Sequence, residues 1–302
     1  MGKKIIIGSR GSDLALWQAH FVESELKKAG FDPEIKIIKT QGDIIQHLPF
    51  DKMEGKGFFT KEIEEALLNK SIDLAVHSHK DLETTNPPGL TICAVSERAN
   101  NRDLLLIRKD SYNPTANLGI KPGGIIGTSA ARRIAQLLRH FNAEQIKMLR
   151  GNVPTRIQKL RDGQYDAILV AAAGVERLEI DLTEFVVTPL EKEVFVSAPA
   201  QGFLGIQCRE DEEHLEAVKA ALHNEAAAEI VSIERGILKA LQGGCQVPLG
   251  TYAEKTEQGF KLWVAYAKDS ATAADQAYFE NSDADAIVKE ALDWMGAEKK
   301  KS

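Results

Sequence analysis

A cysteine in a glycine turn, a carboxylate beside a lysine, and arginines that recur next to small hydroxyl-bearing residues are the groups in this sequence best suited to chemistry. The run Gln242-Gly243-Gly244-Cys245-Gln246-Val247-Pro248 puts a thiol in a flexible turn, where its sulfur reads either as an accessible nucleophile or as an ordinary buried thiol. Asp81 follows Lys80 at the end of an apolar run, Leu74 to His77. It reads either as an acid/base group at a strand end or as a surface ion pair of little energetic weight.

Arginine recurs in one setting. Gly127-Thr128-Ser129-Ala130-Ala131-Arg132-Arg133 follows a β-branched run and opens a helix, so hydroxyls, free backbone N–H groups and two guanidiniums gather within a turn. Leu149-Arg150-Gly151-Asn152-Val153-Pro154-Thr155-Arg156 repeats the logic with proline opening the helix, and Gly8-Ser9-Arg10-Gly11-Ser12 does so at the first strand end. Each turn alone reads as a cap beside a solvated arginine; recurrence at three strand ends favours a site for several carboxylates or phosphates. The sequence lacks GxxxxGK[ST] and GxGxxG, so no nucleotide is specified. His77 and His79 share a strand face, but no third ligand stands at metal-binding spacing, so no metal is assigned.

The elements that must position these groups follow from periodicity. Short β-branched runs alternate with amphipathic stretches over the first two-thirds of the chain, the pattern of an α/β fold with a largely parallel sheet. Strands are expected at Ile5–Gly8, Glu34–Lys39, Leu74–His77, Leu90–Val95, Leu104–Ile107, Ile125–Gly127, Ile146–Leu149 and Ala167–Ala171. Leu14, Trp17, Phe21 and Leu26 mark the face of a helix capped by Ser12. Further helices are expected at Ala130–Leu138 and Pro154–Asp162, and Gln41–Gly57 reads as a mobile surface loop. Glu97–Arg102 and Ser197–Gly205 are hinge candidates, the second returning the chain to the first unit. From Glu225 a long helix, the Cys245 turn, a hairpin over Thr251–Ala265 and a helix near Ala284–Met295 make a small α+β portion.

Composition restricts the function. With 302 residues, 43% of them hydrophobic, the chain is long enough for two or three domains with ordinary cores. A net charge of -6 argues against general binding to nucleic acid or membrane surfaces, so any anion is held by a local cluster. The N-terminal apolar run is too short for a signal peptide and no stretch has the length of a membrane span, which reads as a cytoplasmic chain. Three cysteines without CxxC spacing suggest neither a disulfide framework nor structural zinc, and Cys93 and Cys208 read as buried and inert.

Taken in order, GSRGSDLALWQAH, EGKGFFTKEIEEALL, DLAVHSHKD, GTSAARR, LRGNVPTRIQKL, YDAILVAAAGVERL, PAQGFLGIQCR and LQGGCQVPLG closely resemble the porphobilinogen deaminase family over nearly the whole chain. The resemblance implies two type II periplasmic-binding-like α/β domains around a cleft, residues 1–98 with 198–220 and residues 103–195. A small α+β C-terminal domain, residues 224–302, would carry the cofactor cysteine. It implies a monomeric transferase that condenses four porphobilinogen molecules into hydroxymethylbilane with loss of ammonia. The primer is a dipyrromethane attached through Cys245 as a thioether, and Asp81 is the catalytic carboxylate.

Cofactor contacts carried over by the resemblance are Lys80, Asp81, Thr128, Ser129, Arg132, Arg133, Arg150 and Gly151. Substrate contacts are Arg10, Ser12, Lys56, Phe59, Arg150, Arg156, Arg177 and Gln201. Pyrroles that each carry an acetate and a propionate need such cationic, donor-rich walls. Three positions depart from the family pattern: Ala130 stands for a second serine, His79 for a methionine and Glu83 for a proline. They imply a tuned cleft with the chemistry intact. A non-catalytic anion receptor on the same fold, or a sugar-phosphate enzyme, would leave Asp81 or the GGCQVP turn without a role.

Overall fold

The computed structural model describes residues 3–40, 60–244 and 246–301, with no side chains described beyond residue 296. Lys56, Phe59, Cys245 and the loop expected at Gln41–Gly57 lie outside the described residues. The chain divides into two compact units, Met1–Ala99 with Gly202–Glu229 and Asn100–Gln201 with Ile230–Ser302. The boundaries after residues 99 and 201 fall inside the two expected hinge segments.

The first unit is built on one five-stranded sheet. Its strands are β1 (Lys3–Ser9), β2 (Phe31–Ile37), β3 (Leu74–Ser78), β4 (Leu90–Val95) and β10 (Leu204–Arg209), in the order β2-β1-β3-β10-β4. β1 is parallel to β2 and β3, whereas β10 is antiparallel to both β3 and β4. Alternate residues face opposite ways along a strand. Ile5 and Ile7 accordingly join Ala19, Val22 and Leu26 in one core, while Ala75 joins Ile63, Ala66, Leu67 and Leu90 in another. The helix Lys61–Leu68 supplies part of the latter.

The helix Asp13–Lys28 starts where expected, with the Ser12 hydroxyl accepting the Ala15 N–H at 3.4 Å. Its buried stripe differs from the expected one. Gln18, Ala19, Val22 and Leu26 are buried, while Trp17 and Phe21 are exposed and stack on each other, one turn apart, with ring centroids 5.8 Å apart. The i, i+4 spacing that suggested a core face is satisfied by this mutual contact. β2 begins earlier than expected and contains Pro33, which an edge strand tolerates.

The second unit repeats the plan with β5 (Asp103–Arg108), β6 (Ile126–Gly127), β7 (Ile146–Lys147), β8 (Ala167–Ala171) and β9 (Phe185–Leu190), ordered β7-β6-β8-β5-β9. β6 is parallel to β7 and β8, and β5 is antiparallel to β8 and β9. In each five-stranded sheet four strands thus run one way and one the other. Leu104, Leu106, Ile168 and Val170 face one core and Leu105, Ile107, Ala167 and Leu169 the other, so β5 and β8 are covered on both faces.

The same unit holds an antiparallel sheet of β11 (Leu249–Thr256), β12 (Gly259–Tyr266) and β13 (Asp275–Asn281), with the helix Ala284–Lys301. The hairpin expected from sequence is β11-β12. The segment before residue 198 seals this sheet to the five-stranded one: the Gln136 amide exchanges hydrogen bonds with the Val196 backbone, and Thr251 N–H reaches the Ser197 carbonyl at 3.0 Å. Lys192 lies 4.4 Å from the Trp263 ring centroid and pairs with Glu254. The helix Glu225–Ala240 contributes Glu234, a fully buried carboxylate that accepts the N–H groups of Ala200 and Ala253 at 2.7 and 2.8 Å. A carboxylate that takes up two buried backbone donors removes two desolvation costs at once. No helix among the described residues is long and apolar enough to cross a membrane.

Candidate functional site

Two sheet edges gather the candidate residues. In the first unit β1 and β3 are parallel neighbours, so the turns after them emerge at the same edge. One turn carries Arg10 and Ser12, the other Lys80 and Asp81. Asp81 is exposed, and it ends a single 3-10 turn, His79–Asp81, that continues β3. That turn is fixed by His79 N–H donating to the Phe203 carbonyl at 3.0 Å and by the Gln18 amide donating to the Ser78 hydroxyl at 2.8 Å.

Beneath it, His77, Gln207 and Glu64 form a polar seam in the sheet face. Gln207 is fully buried and donates to Glu64 at 3.3 Å. Burial pushes the Glu64 carboxyl up; the same effect pushes His77 down to about 4, in concert with the Arg10 charge and against the nearby Gln207 amide, which favours the protonated ring. His77 is therefore a neutral imidazole in the fold, and the described residues contain no cluster of three or more His, Cys, Asp or Glu side chains able to hold a metal.

In the second unit the parallel strands β7, β6 and β8 are adjacent, so three turns leave one edge together. The turn after β6 contains buried Thr128, then Ser129 and the helix Ala131–Leu137 with Arg132 and Arg133. Thr128 Oγ1 accepts the Ala130 N–H at 3.4 Å, and Ala130, at the cap position, offers no side-chain bond. Arg150 and Gly151 lie after β7, where Asn152 caps the helix Val153–Arg161 and Arg156 Nε donates to the Gly151 carbonyl at 2.7 Å. Gly151 has φ +117, and a Cβ there would lie 2.6 Å from the Thr155 methyl, so only glycine closes this turn. β8 runs directly into the helix Ala172–Arg177, whose last residue, Arg177, is brought down to about 10 by burial.

Sequence reasoning missed the residue at the centre of this edge. Asp103, the first residue of β5 and the register partner of Ala171, is 1% exposed. It accepts Arg132 Nη1 and Arg133 Nη2, each at 2.7 Å, and the Gln201 amide at 3.1 Å. The arginines extend to the Val196 and Leu169 carbonyls, and Gln201 also donates to the Asn101 carbonyl at 2.7 Å. Burial alone pushes the Asp103 carboxyl up, but the charges and hydrogen bonds of the two arginines outweigh it and hold the group well below the usual carboxylate range. The available signal was an aspartate opening the otherwise apolar strand Asp103-Leu104-Leu105-Leu106-Ile107. Cys93 and Cys208 are buried, at 6% and 0% exposure, as the sequence implied.

The class defined so far is an α/β protein whose first unit presents an exposed aspartate at a sheet edge and whose second unit holds a 2:1 guanidinium-to-carboxylate cluster at one of its own. Comparison with known proteins narrows it. A family model described as porphobilinogen deaminase, dipyromethane cofactor binding domain, matches residues 5–217, and the C-terminal domain of the same family matches residues 228–295. The chain belongs to the porphobilinogen deaminase family.

Porphobilinogen deaminase of Oceanobacillus iheyensis is 46% identical over 254 residues, covering 83% of this chain and 80% of the relative. That of Gloeobacter violaceus is 43% identical over 262 residues, covering 86% and 79%. Among solved structures, a putative methionine-binding lipoprotein from Bacillus subtilis aligns at TM-score 0.45 and 11% identity, covering 76% of this chain and 94% of that one. The VFT2 domain of BvgS from Bordetella pertussis aligns at TM-score 0.44 and 12% identity, covering 78% and 91%.

Proposed function

We propose that the chain joins four porphobilinogen molecules head to tail into hydroxymethylbilane, releasing ammonia at each join, on a dipyrromethane attached through Cys245. Family membership across both matched segments carries this reading and makes the chain a transferase of tetrapyrrole biosynthesis. The second-unit edge fits a carboxylate-bearing pyrrole pair. Two guanidiniums face one carboxylate, which leaves one positive charge in excess, and Arg133 Nε is buried with no hydrogen-bond partner in the structure.

Thr128, Ser129, Arg132, Arg133, Arg150 and Gly151 would hold the primer's acidic side chains, together with Lys80 and Asp81. Bound, the dipyrromethane supplies the pyrrole carbon to which the first substrate is joined. Arg10, Ser12, Arg156, Arg177 and Gln201 are assigned to the substrate's acetate and propionate, with Lys56 and Phe59, which lie outside the described residues, completing the set. Asp81, on an exposed turn, sets a carboxylate against the positive charge that develops on the substrate as its aminomethyl nitrogen departs. A fixed opposite charge lowers that barrier, and the same oxygen can accept the proton released when the ring becomes aromatic again.

The reading keeps the three-domain division at 1–98 with 198–220, 103–195 and 224–302, and a cytoplasmic monomer that acts on a small acidic molecule. Intact mass of the purified protein, with colour development in an acidic pyrrole reagent, tests it. A dipyrromethane adduct is expected on the unmodified sequence and its loss, with activity, in Cys245→Ser. An adduct that persists in Cys245→Ser counts against the attachment.

A further inference from the structure

The turn that presents Asp81 is short. One 3-10 turn, His79–Asp81, closes with Leu82 N–H on the His79 carbonyl at 3.3 Å, and isolated turns of this kind have poor hydrogen-bond geometry. Its orientation depends on what lies beneath. His79 and Leu82, which bracket Lys80 and Asp81, are 4% and 5% exposed, and both close onto Gly205 of β10. A Cβ at Gly205 would stand 2.9 Å from Leu82 Cδ1, 3.1 Å from His79 Cδ2 and 3.3 Å from His79 Cγ.

Gly205 pairs with His77 in the β3-β10 ladder and does not have the positive φ that marks many other glycines of the chain. Backbone conformation therefore does not require glycine at this position; the missing side chain does. The Leu82 methyl is the end of a flexible side chain and can yield. The imidazole is a rigid ring in a close-packed site, and its backbone N–H is fixed on the Phe203 carbonyl.

We infer that Gly205 is a positioning residue for Asp81: its bare backbone is the seat on which the His79 ring and Leu82 rest, and this seat sets the height of the catalytic turn. The inference rests on the assignment of Asp81 as the catalytic carboxylate. A methyl group at 205 displaces the ring by a few tenths of an ångström and carries the turn with it. Displacement of a catalytic group by about 1 Å costs on the order of 100-fold, so a loss of roughly tenfold in kcat is expected from this smaller shift.

The test is a cycle of Gly205→Ala, His79→Ala and the double variant, assayed for kcat and KM with porphobilinogen beside Asp81→Asn. Gly205→Ala is expected to lower kcat with KM within about twofold of the parent, and the double variant to recover much of that loss because the added methyl occupies space given up by the ring. A purely structural role would lower Tm without a kcat loss that His79→Ala relieves. If Gly205→Ala does not fold, His79→Ala alone carries the test: the unsupported turn should lose kcat and keep KM. Unchanged kcat in the folded single variants, or a double variant no better than Gly205→Ala, overturns the seat. Asp81→Asn with undiminished turnover overturns the catalytic assignment and the seat together, whereas an inactive Asp81→Asn beside an unimpaired Gly205→Ala overturns the seat alone.

Discussion

Asp103 accepts the Arg132 guanidinium at 2.7 Å with both side chains almost wholly out of solvent, and its second oxygen takes Arg133 at the same distance. The carboxylate lets two like charges sit side by side in the core. It also leaves them one unit of positive charge in excess. Replacement by asparagine keeps the shape and removes the compensation. Asp103→Asn is expected to destabilise the fold by about 3–5 kcal/mol, the usual cost of leaving a buried charge unpaired.

The pH dependence of that loss has a definite sign. The folded Asp103 carboxyl lies below its ordinary value, so its contribution is present above about pH 4 and fades as pH falls further. Urea denaturation at pH 7 and pH 3 checks both points: the gap between parent and Asp103→Asn should be large at the first and narrower at the second. Equal midpoints at pH 7 would remove Asp103 from the arginine cluster's support.

Asp81 behaves in the opposite way, because it is exposed on its turn. Asp81→Asn is expected to change stability by no more than about 0.5 kcal/mol, as surface substitutions do. Its kcat is expected to fall by roughly 100- to 1,000-fold, the range for loss of one group that stabilises transition-state charge. Single-turnover assays paired with urea melts separate the two effects, and near-normal turnover would end the catalytic assignment.

His77 gives the structure a mild acid sensitivity. It is neutral in the fold, with burial bringing it down to about 4, whereas an unfolded histidine protonates near 6.5. Between those values the unfolded chain binds more protons, so stability is full above about pH 6.5 and declines as pH falls toward 4. The decline from this one group reaches at most about 3 kcal/mol. Thermal unfolding from pH 7 to pH 4.5 should show a shallower slope in His77→Gln than in the parent; identical slopes would mean that His77 keeps its proton in the fold.

The sequence exposed the strand-to-helix turns because their signals are local. Ser12 and Asn152 are caps, Pro154 stands in the first turn of its helix, and short apolar runs mark β1, β3, β5 and β8, so the residues of each turn can be named without a fold. Trp17 and Phe21 show the limit of such signals: helical spacing reports that two residues share a face, and only packing reports whether that face meets the sheet. β9, β10 and β13 were not anticipated; β9 and β10 pair with strands far upstream, and a strand that joins a sheet so far along the chain carries no local mark of its partner.

By itself the sequence determined the chemistry available to this protein: a thiol at Cys245, a carboxylate at Asp81, and arginines beside hydroxyls at the ends of successive strands. These are properties of residue type and short spacing. Tertiary structure alone decided which of them meet. β10 returns from about 100 residues downstream of β4 to lie under the Asp81 turn, and β5 brings Asp103 against Arg132 and Arg133 across a gap of roughly 30 positions. Contacts of that length depend on strand order and on which charge the core can tolerate, and neither is written in any local stretch of chain.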